Sequence, residues 1–210
     1  MPPLIESILL AFAVLIPSLS FHEAAHAWAA DRLGDPTARI LGRLTLNPLA
    51  HIDWIGTVLF PLISMTSGFP LLGWAKPVPV SLDRLREPRR DFAIVALAGP
   101  VSNLVLAGGC TILFHVVGAG AAESGGWMLW VLKYLAYMVS TNVLLAVFNM
   151  IPIPPLDGGN VLMGVVPERM AHAIDWLRPY GFVILYVLMW KGTLGQIVFP
   201  VRDAVERWLL

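Results

Sequence analysis

Of the 210 residues in this chain, 57% are hydrophobic and 13% charged, against about 25% charged in an ordinary soluble domain. Fourteen basic and fourteen acidic side chains leave no net charge to attract a nucleic acid, and a single cysteine, Cys110, excludes a disulfide framework. This is the composition of an integral membrane protein, long enough for one compact unit and hardly for two; the rival, a large soluble core of buried helices, is disfavoured by the hydropathy.

The first predicted element covers residues 4–33. Its centre, LLAFAVLIPSLSFHEAAHAWAA from Leu9 to Ala30, can cross a bilayer, with a kink or local break at Pro17. No basic stretch precedes the apolar run and no small-residue cleavage site follows it, so it reads as a retained helix. Gly34, Asp35 and Pro36 stop it, and a polar linker carries Arg39 and Arg43. Residues 54–75 are uncharged but interrupted by Pro61, Gly68 and Pro70, as suits a re-entrant or shielded segment. The loop KPVPVSLDRLREPRRD then holds Lys76, Arg84, Arg86, Arg89 and Arg90. The positive-inside rule puts both basic linkers in the cytoplasm, which requires residues 54–75 to return without crossing.

A second long helix is predicted over residues 92–117, with Ala98, Gly99, Ser102 and Ala107 as small faces for close packing and Cys110 as a packing residue. GAGAAESGG makes a turn on the far side, and residues 127–156 return as a helix that leads into NMIPIPPLDGG. The amphiphilic stretch VVPERMAHAIDWLRPYG reads as a turn before a last hydrophobic helix at 180–201. The fold class is therefore all-α, a polytopic membrane protein with a re-entrant segment between its first two spans.

The chemistry starts in FHEAAHAW. His22 and His26, four residues apart, share one helix face, and Glu23 is the sole carboxylate of its apolar run. HExxH on a helix lets two imidazoles hold Zn²⁺ while the glutamate serves as general base. A histidine pair that only packs between helices would not explain an unpaired carboxylate at that depth. A catalytic zinc site needs a third protein ligand. Asp157 stands out, because Pro152, Pro154 and Pro155 unwind the chain before it and Gly158 and Gly159 allow a close approach; as part of an Asp-Gly turn it could also merely cap. His51 is the rival ligand, whereas a full membrane crossing separates His115 from the motif and His172 lies in the amphiphilic turn. Asn149 adjoins the same unwound region, with a donor for a substrate carbonyl.

These residues resemble the site-2 protease family of intramembrane zinc metalloproteases, in its short form without PDZ or CBS domains. The first family motif is His22-Glu23-Ala24-Ala25-His26, and the second is NMIPIPPLDGG, with Asn149, Pro152, Asp157 and Gly158 in the matching places. RLTLNPLAHIDWIGT, GWAKPVPV and ALAGPVSN resemble the linking segments, so the likeness covers about residues 15–167. The resemblance implies one Zn²⁺ per chain held by His22, His26 and Asp157. It also implies catalysis by Glu23 with Asn149 at the substrate or oxyanion, a multi-pass place in the cell membrane with the active site near the cytoplasmic face, and transmembrane proteins as substrates. The alternatives are a metal-binding transporter, which should carry further polar residues on several helices, and an inactive scaffold, which would more readily have lost Glu23.

Overall fold

A computed structural model describes residues 3–68, 73–119 and 126–210. Three of the described helices are long and apolar enough to span a membrane: α1 (Pro3–Arg32), α4 (Pro88–Ala119) and α5 (Trp127–Asn149). Each buries one stripe at helical spacing. In α1 the stripe is Val14, Ser18, His22, His26 and Ala30; in α4 it is Asp91, Val95, Gly99, Asn103 and Ala107; in α5 it is Leu135, Val139, Asn142 and Ala146. The opposite faces expose Ile94, Val101, Leu104, Val105, Ile112, Leu129 and Trp130, as lipid-facing surfaces do, since side chains there need no polar partner.

The three stripes meet in a core of Val14, Ala107, Cys110, Leu135, Met138, Val139 and Val143, with the cysteine buried as a packing residue. Contacts run from Glu6 to Lys133 and from Ser18 to Asn142, so α1 and α5 are parallel; His26 meets Val95, and His22 meets Asn103, so α4 is antiparallel to α1. Pro17 lies inside α1 without ending it. A proline frees the carbonyl four residues earlier, and the Tyr134 hydroxyl donates to that carbonyl, Ala13 O, at 3.4 Å.

Beyond α1, Asp35 ties the linker down. Its carboxylate accepts from the Thr37 hydroxyl, from Thr37 N–H at 3.0 Å and from Ser81 N–H at 2.6 Å. Burial alone would raise its pKa, but these bonds and Arg84 outweigh that and hold the carboxyl below its usual range. Short α2 (Thr37–Ile40) follows. Asp53 then caps a wide π turn, Trp54–Leu59, accepting from Ile55 and Gly56 N–H. That turn runs into α3 (Phe60–Ser67), which Gly68 ends at φ +69°.

From Gly73 onward the chain comes back extended beside its own start. Trp74 N–H donates to Gly56 O at 3.2 Å, Thr57 Oγ1 to Trp74 O at 2.8 Å and Lys76 N–H to His51 O at 2.8 Å. The two described ends of this apolar hairpin are thus side by side. Residues 69–72, including Pro70, lie outside the described residues, as do residues 120–125 of the GAGAAESGG turn.

Helix α4 begins at Pro88, four residues before the reading from sequence, so Arg89 and Arg90 belong to its first turn and not to the loop. Asp91 explains this: its carboxylate accepts from Glu87 N–H at 2.9 Å and closes the helix start. Helix α5 stops at Asn149, short of residue 156, because Pro152, Pro154 and Pro155 cannot continue its hydrogen bonding. Asp157 opens a separate helix, α6 (Asp157–Val165). Arg89 clamps the far end of α6 by donating to Met163 O at 2.8 Å and to Val166 O, two carbonyls a helix end leaves unpaired.

The amphiphilic stretch predicted as a turn contains an amphipathic helix, α7 (Glu168–Trp176). The predicted last helix at 180–201 is two: α8 (Gly181–Trp190) and α9 (Thr193–Leu209), with a bend of 80° between α9 and the run Glu168–Trp190 that α8 ends. Gly192, at φ +71°, makes that corner. Helix α9 runs back along α5 until Leu209 O meets His115 at the other end of the bundle, so the bent pair is a broken span or a re-entrant segment.

Candidate metal centre and active site

His22 and His26 face inward from α1, and α6 brings Asp157 against them. His22 Nε2 lies 3.1 Å from Asp157 Oδ2, His26 Nε2 lies 3.5 Å from Asp157 Oδ1, and the two Nε2 atoms are 3.0 Å apart. Four-coordinate tetrahedral zinc, with bonds of about 2.0–2.1 Å, sets its ligand atoms roughly 3.3 Å from one another. The three side chains already have that spacing. Among the described residues they form the one group of histidine, cysteine and carboxylate atoms close enough to share an ion.

The donor chemistry fits a cation as well. His26 Nδ1 lies 2.7 Å from the Val95 carbonyl, which can only accept, so Nδ1 carries the hydrogen and Nε2 turns a lone pair toward the cluster. Asp157 Oδ2 is buried without a hydrogen-bond donor. Asp157 does not cap its helix: the N-cap is Leu156, and no side-chain cap bond is made.

Two glycines make the approach possible. A Cβ on Gly99 of α4 would sit 2.5 Å from His26 Cε1 and 2.6 Å from His22 Cε1. A Cβ on Gly158 would meet the Met150 and Ile151 carbonyls, the latter at 2.6 Å, so only glycine lets the start of α6 fold against the end of α5. Gly99, read from the sequence as a small face for close helix packing, is one here, and what it admits is the pair of imidazoles.

Glu23, 8% exposed, lines a cleft of about 560 Å³ that also contains His22, His26, Asp157 and Asn149. One of its oxygens accepts from Val78 N–H at 3.2 Å, in the extended segment that crosses the site after residue 73. Asn149 donates one amide hydrogen to Leu145 O at 2.9 Å and keeps a second. His51 does not join the cluster. It is buried elsewhere, with Nε2 2.8 Å from Thr45 O and its backbone carbonyl holding Lys76; its task is to anchor the returning segment. His115 and His172 contact Leu209 O and Glu168 O respectively, also away from the site.

The sequence reading also missed three interior polar residues. Asn103, Asn142 and Ser18 are fully buried, and Asn103 Oδ1 lies 2.6 Å from His22 Nδ1. Further polar residues thus do lie on all three spans, beyond the two motifs. These groups bond to one another and to His22, and so do not line a path of the kind a transporter needs. An asparagine inside an apolar span was the available signal.

Comparison with known proteins agrees with this geometry. The profile of Peptidase family M50 matches residues 115–188, which include Asn149 and Asp157. A Bacillus subtilis protein named as the zinc metalloprotease YwhC is 35% identical over 191 residues, covering 90% of this chain and 84% of its own. The zinc metalloprotease Rip2 of Mycolicibacterium smegmatis is 32% identical over 192 residues, covering 91% and 70%. An archaeal relative, the zinc metalloprotease MJ0611 of Methanocaldococcus jannaschii, is 34% identical over 96 residues, 46% of this chain and 44% of its own. No solved structure matches. A His/His/Asp cluster inside an apolar helical bundle, together with relatives of this identity along nine-tenths of the chain, means that the chain belongs to peptidase family M50, the site-2 zinc metalloproteases.

Proposed function

We propose that His22, His26 and Asp157 bind one Zn²⁺ per chain, and that Glu23 is the general base with which this intramembrane protease cleaves peptide bonds in or near transmembrane segments. The observation that carries the assignment is the convergence of two Nε2 atoms and a carboxylate, one of whose oxygens is buried without a donor, at ligand spacing. When bound, zinc lowers the pKa of a water and polarises the scissile carbonyl. Glu23 accepts a proton from the attacking water and returns it to the amine nitrogen as the C–N bond breaks. The second amide hydrogen of Asn149 donates to the oxygen that gains charge in the transition state. Val78 N–H holds one Glu23 oxygen, leaving the other for the proton. A substrate helix must unwind locally to enter the cleft, because its bonds are otherwise shielded.

Metal analysis tests the ligand set. Purified protein should contain about one zinc per chain, and His22→Ala or Asp157→Ala should each lose metal and proteolysis together. Chelation should abolish cleavage of a model transmembrane substrate, and added zinc should restore it. Zinc retained by both variants would refute the assignment.

The catalytic end of the bundle also carries Arg32, Arg39, Arg43, Lys76, Arg84, Arg86, Arg89 and Arg90, which supports a cytoplasmic position for the site. The paired ends of the 54–75 hairpin support its return to the same side. Single cysteines at Arg39 and Arg86, in a background without Cys110, should therefore resist an impermeant thiol reagent added to intact cells. Strong labelling at Arg86 would invert the orientation; labelling at Arg39 alone would mean that residues 54–75 cross.

A further inference from the structure

We infer that Asn103, Asn142 and Ser18 form a one-way hydrogen-bond relay that presents the Nε2 lone pair of His22 to the metal; the inference rests on the zinc ligands proposed above. The direction follows from the far end of the chain. Ser18 Oγ donates its hydrogen to Val14 O at 2.7 Å. Asn142 Nδ2 lies 2.8 Å from Ser18 Oγ and 2.8 Å from Met138 O. A backbone carbonyl can only accept, so the NH₂ group of Asn142 must point this way, and its Oδ1 must point at Asn103.

Asn103 Nδ2 donates to that Oδ1 at 2.7 Å and approaches the Ser18 carbonyl at 3.4 Å. This fixes the second amide in turn, and Asn103 Oδ1 is left facing His22 Nδ1 at 2.6 Å. An amide oxygen cannot donate, so the hydrogen belongs to His22 Nδ1. Nε2 is then free, 3.1 Å from Asp157 and 3.0 Å from His26 Nε2.

Every member lies on the buried stripe of its own span, and all three relay residues are fully buried. Water cannot substitute for a missing partner there, so each bond in the series constrains the next. His26 reaches the same tautomer by a shorter route, through Val95 O. The two histidine ligands are thus oriented independently, one by backbone and one by side chains from all three spans. Asn103 and Asn142 are positioning residues: they act on the metal only through the imidazole, as partners of ligating histidines do.

The test measures zinc affinity by chelator competition on purified wild-type, Asn103→Leu and Asn103→Asp proteins. Leucine keeps the size but cannot accept, while aspartate accepts from His22 yet cannot donate to Asn142. Asn103→Leu should weaken zinc binding by about 10–100-fold, and Asn103→Asp should restore affinity toward the wild-type value. Equal affinity of wild type and Asn103→Leu would overturn the relay and leave the three ligands standing. A wild-type protein that binds no zinc would overturn the ligand assignment itself, and the relay with it. Should Asn103→Leu fail to fold, ¹⁵N NMR of the His22 ring in zinc-loaded wild type decides the matter: a proton on Nδ1 supports the relay, and a proton on Nε2 overturns it.

Discussion

Replacing Glu23 by glutamine should yield a folded protein that holds about one zinc and barely cleaves. Glutamine keeps the shape of the side chain and leaves His22, His26 and Asp157 untouched, but it cannot take a proton from water. Loss of a positioned general base costs about 10²–10⁴ in rate, equivalent to roughly 3–5 kcal/mol of transition-state stabilisation. The amide can still receive the Val78 N–H on its oxygen, so the segment crossing the cleft should stay in place and substrate binding should change little. Single-turnover cleavage of a model transmembrane substrate, with zinc content measured on the same sample, checks this. Near-wild-type turnover by Glu23→Gln, in detergent and in membranes alike, would sink the mechanism. A metal-dependent transporter would instead keep its function largely intact in this variant.

Gly99→Ala should damage the site as severely although residue 99 is no ligand. One added methyl would lie 2.5–2.6 Å from carbon atoms of both imidazoles, well inside van der Waals contact, so either the rings or helix α4 must move. Both rings are pinned on their other side, His26 by Val95 O and His22 by Asn103, and Val95 and Asn103 flank Gly99 on the same helix stripe. A displacement of about 1 Å in a catalytic group can cost 10²-fold, and the zinc site should be lost or distorted as well. Gly109→Ala is the control: it sits farther along α4, exposed, with nothing within 4 Å of the added methyl, and should leave zinc content and cleavage unchanged. Equal zinc affinity and activity in Gly99→Ala and wild type would show that the helices do not approach this closely.

The boundaries that sequence patterns missed share a cause. Helix α4 starts in polar residues because Asp91 and Glu87 close its first turn, and hydropathy does not register a cap. The stretch before residue 180 forms α7 although its mean composition is polar, since an amphipathic helix needs only one apolar face. The segment at 180–201 is uncharged apart from Lys191, and hydropathy cannot see that Gly192 turns the chain by 80° within it.

What the sequence by itself determined is the part of this protein that depends on neighbours along the chain. Apolar runs of bilayer length specify the spans; a four-residue interval puts His22 and His26 on one helix face; the prolines of NMIPIPPLDGG end α5, and its glycines permit the close turn before α6. Only the tertiary structure placed Asp157, and not His51, beside the two histidines, because this depends on α6 folding back against α1, across more than 130 residues of chain, and on His51 being held by Thr45 instead. It alone showed what the small face of Gly99 admits, because the atoms concerned, the His22 and His26 rings, lie on another helix. The same holds for the links from His22 to Asn103 and from Asn142 to Ser18, which join residues 81 and 124 positions apart. Side-chain hydrogen bonds of that range leave no periodicity in the sequence; they exist only once three packed spans have excluded water and obliged each buried polar group to find its partner in the protein.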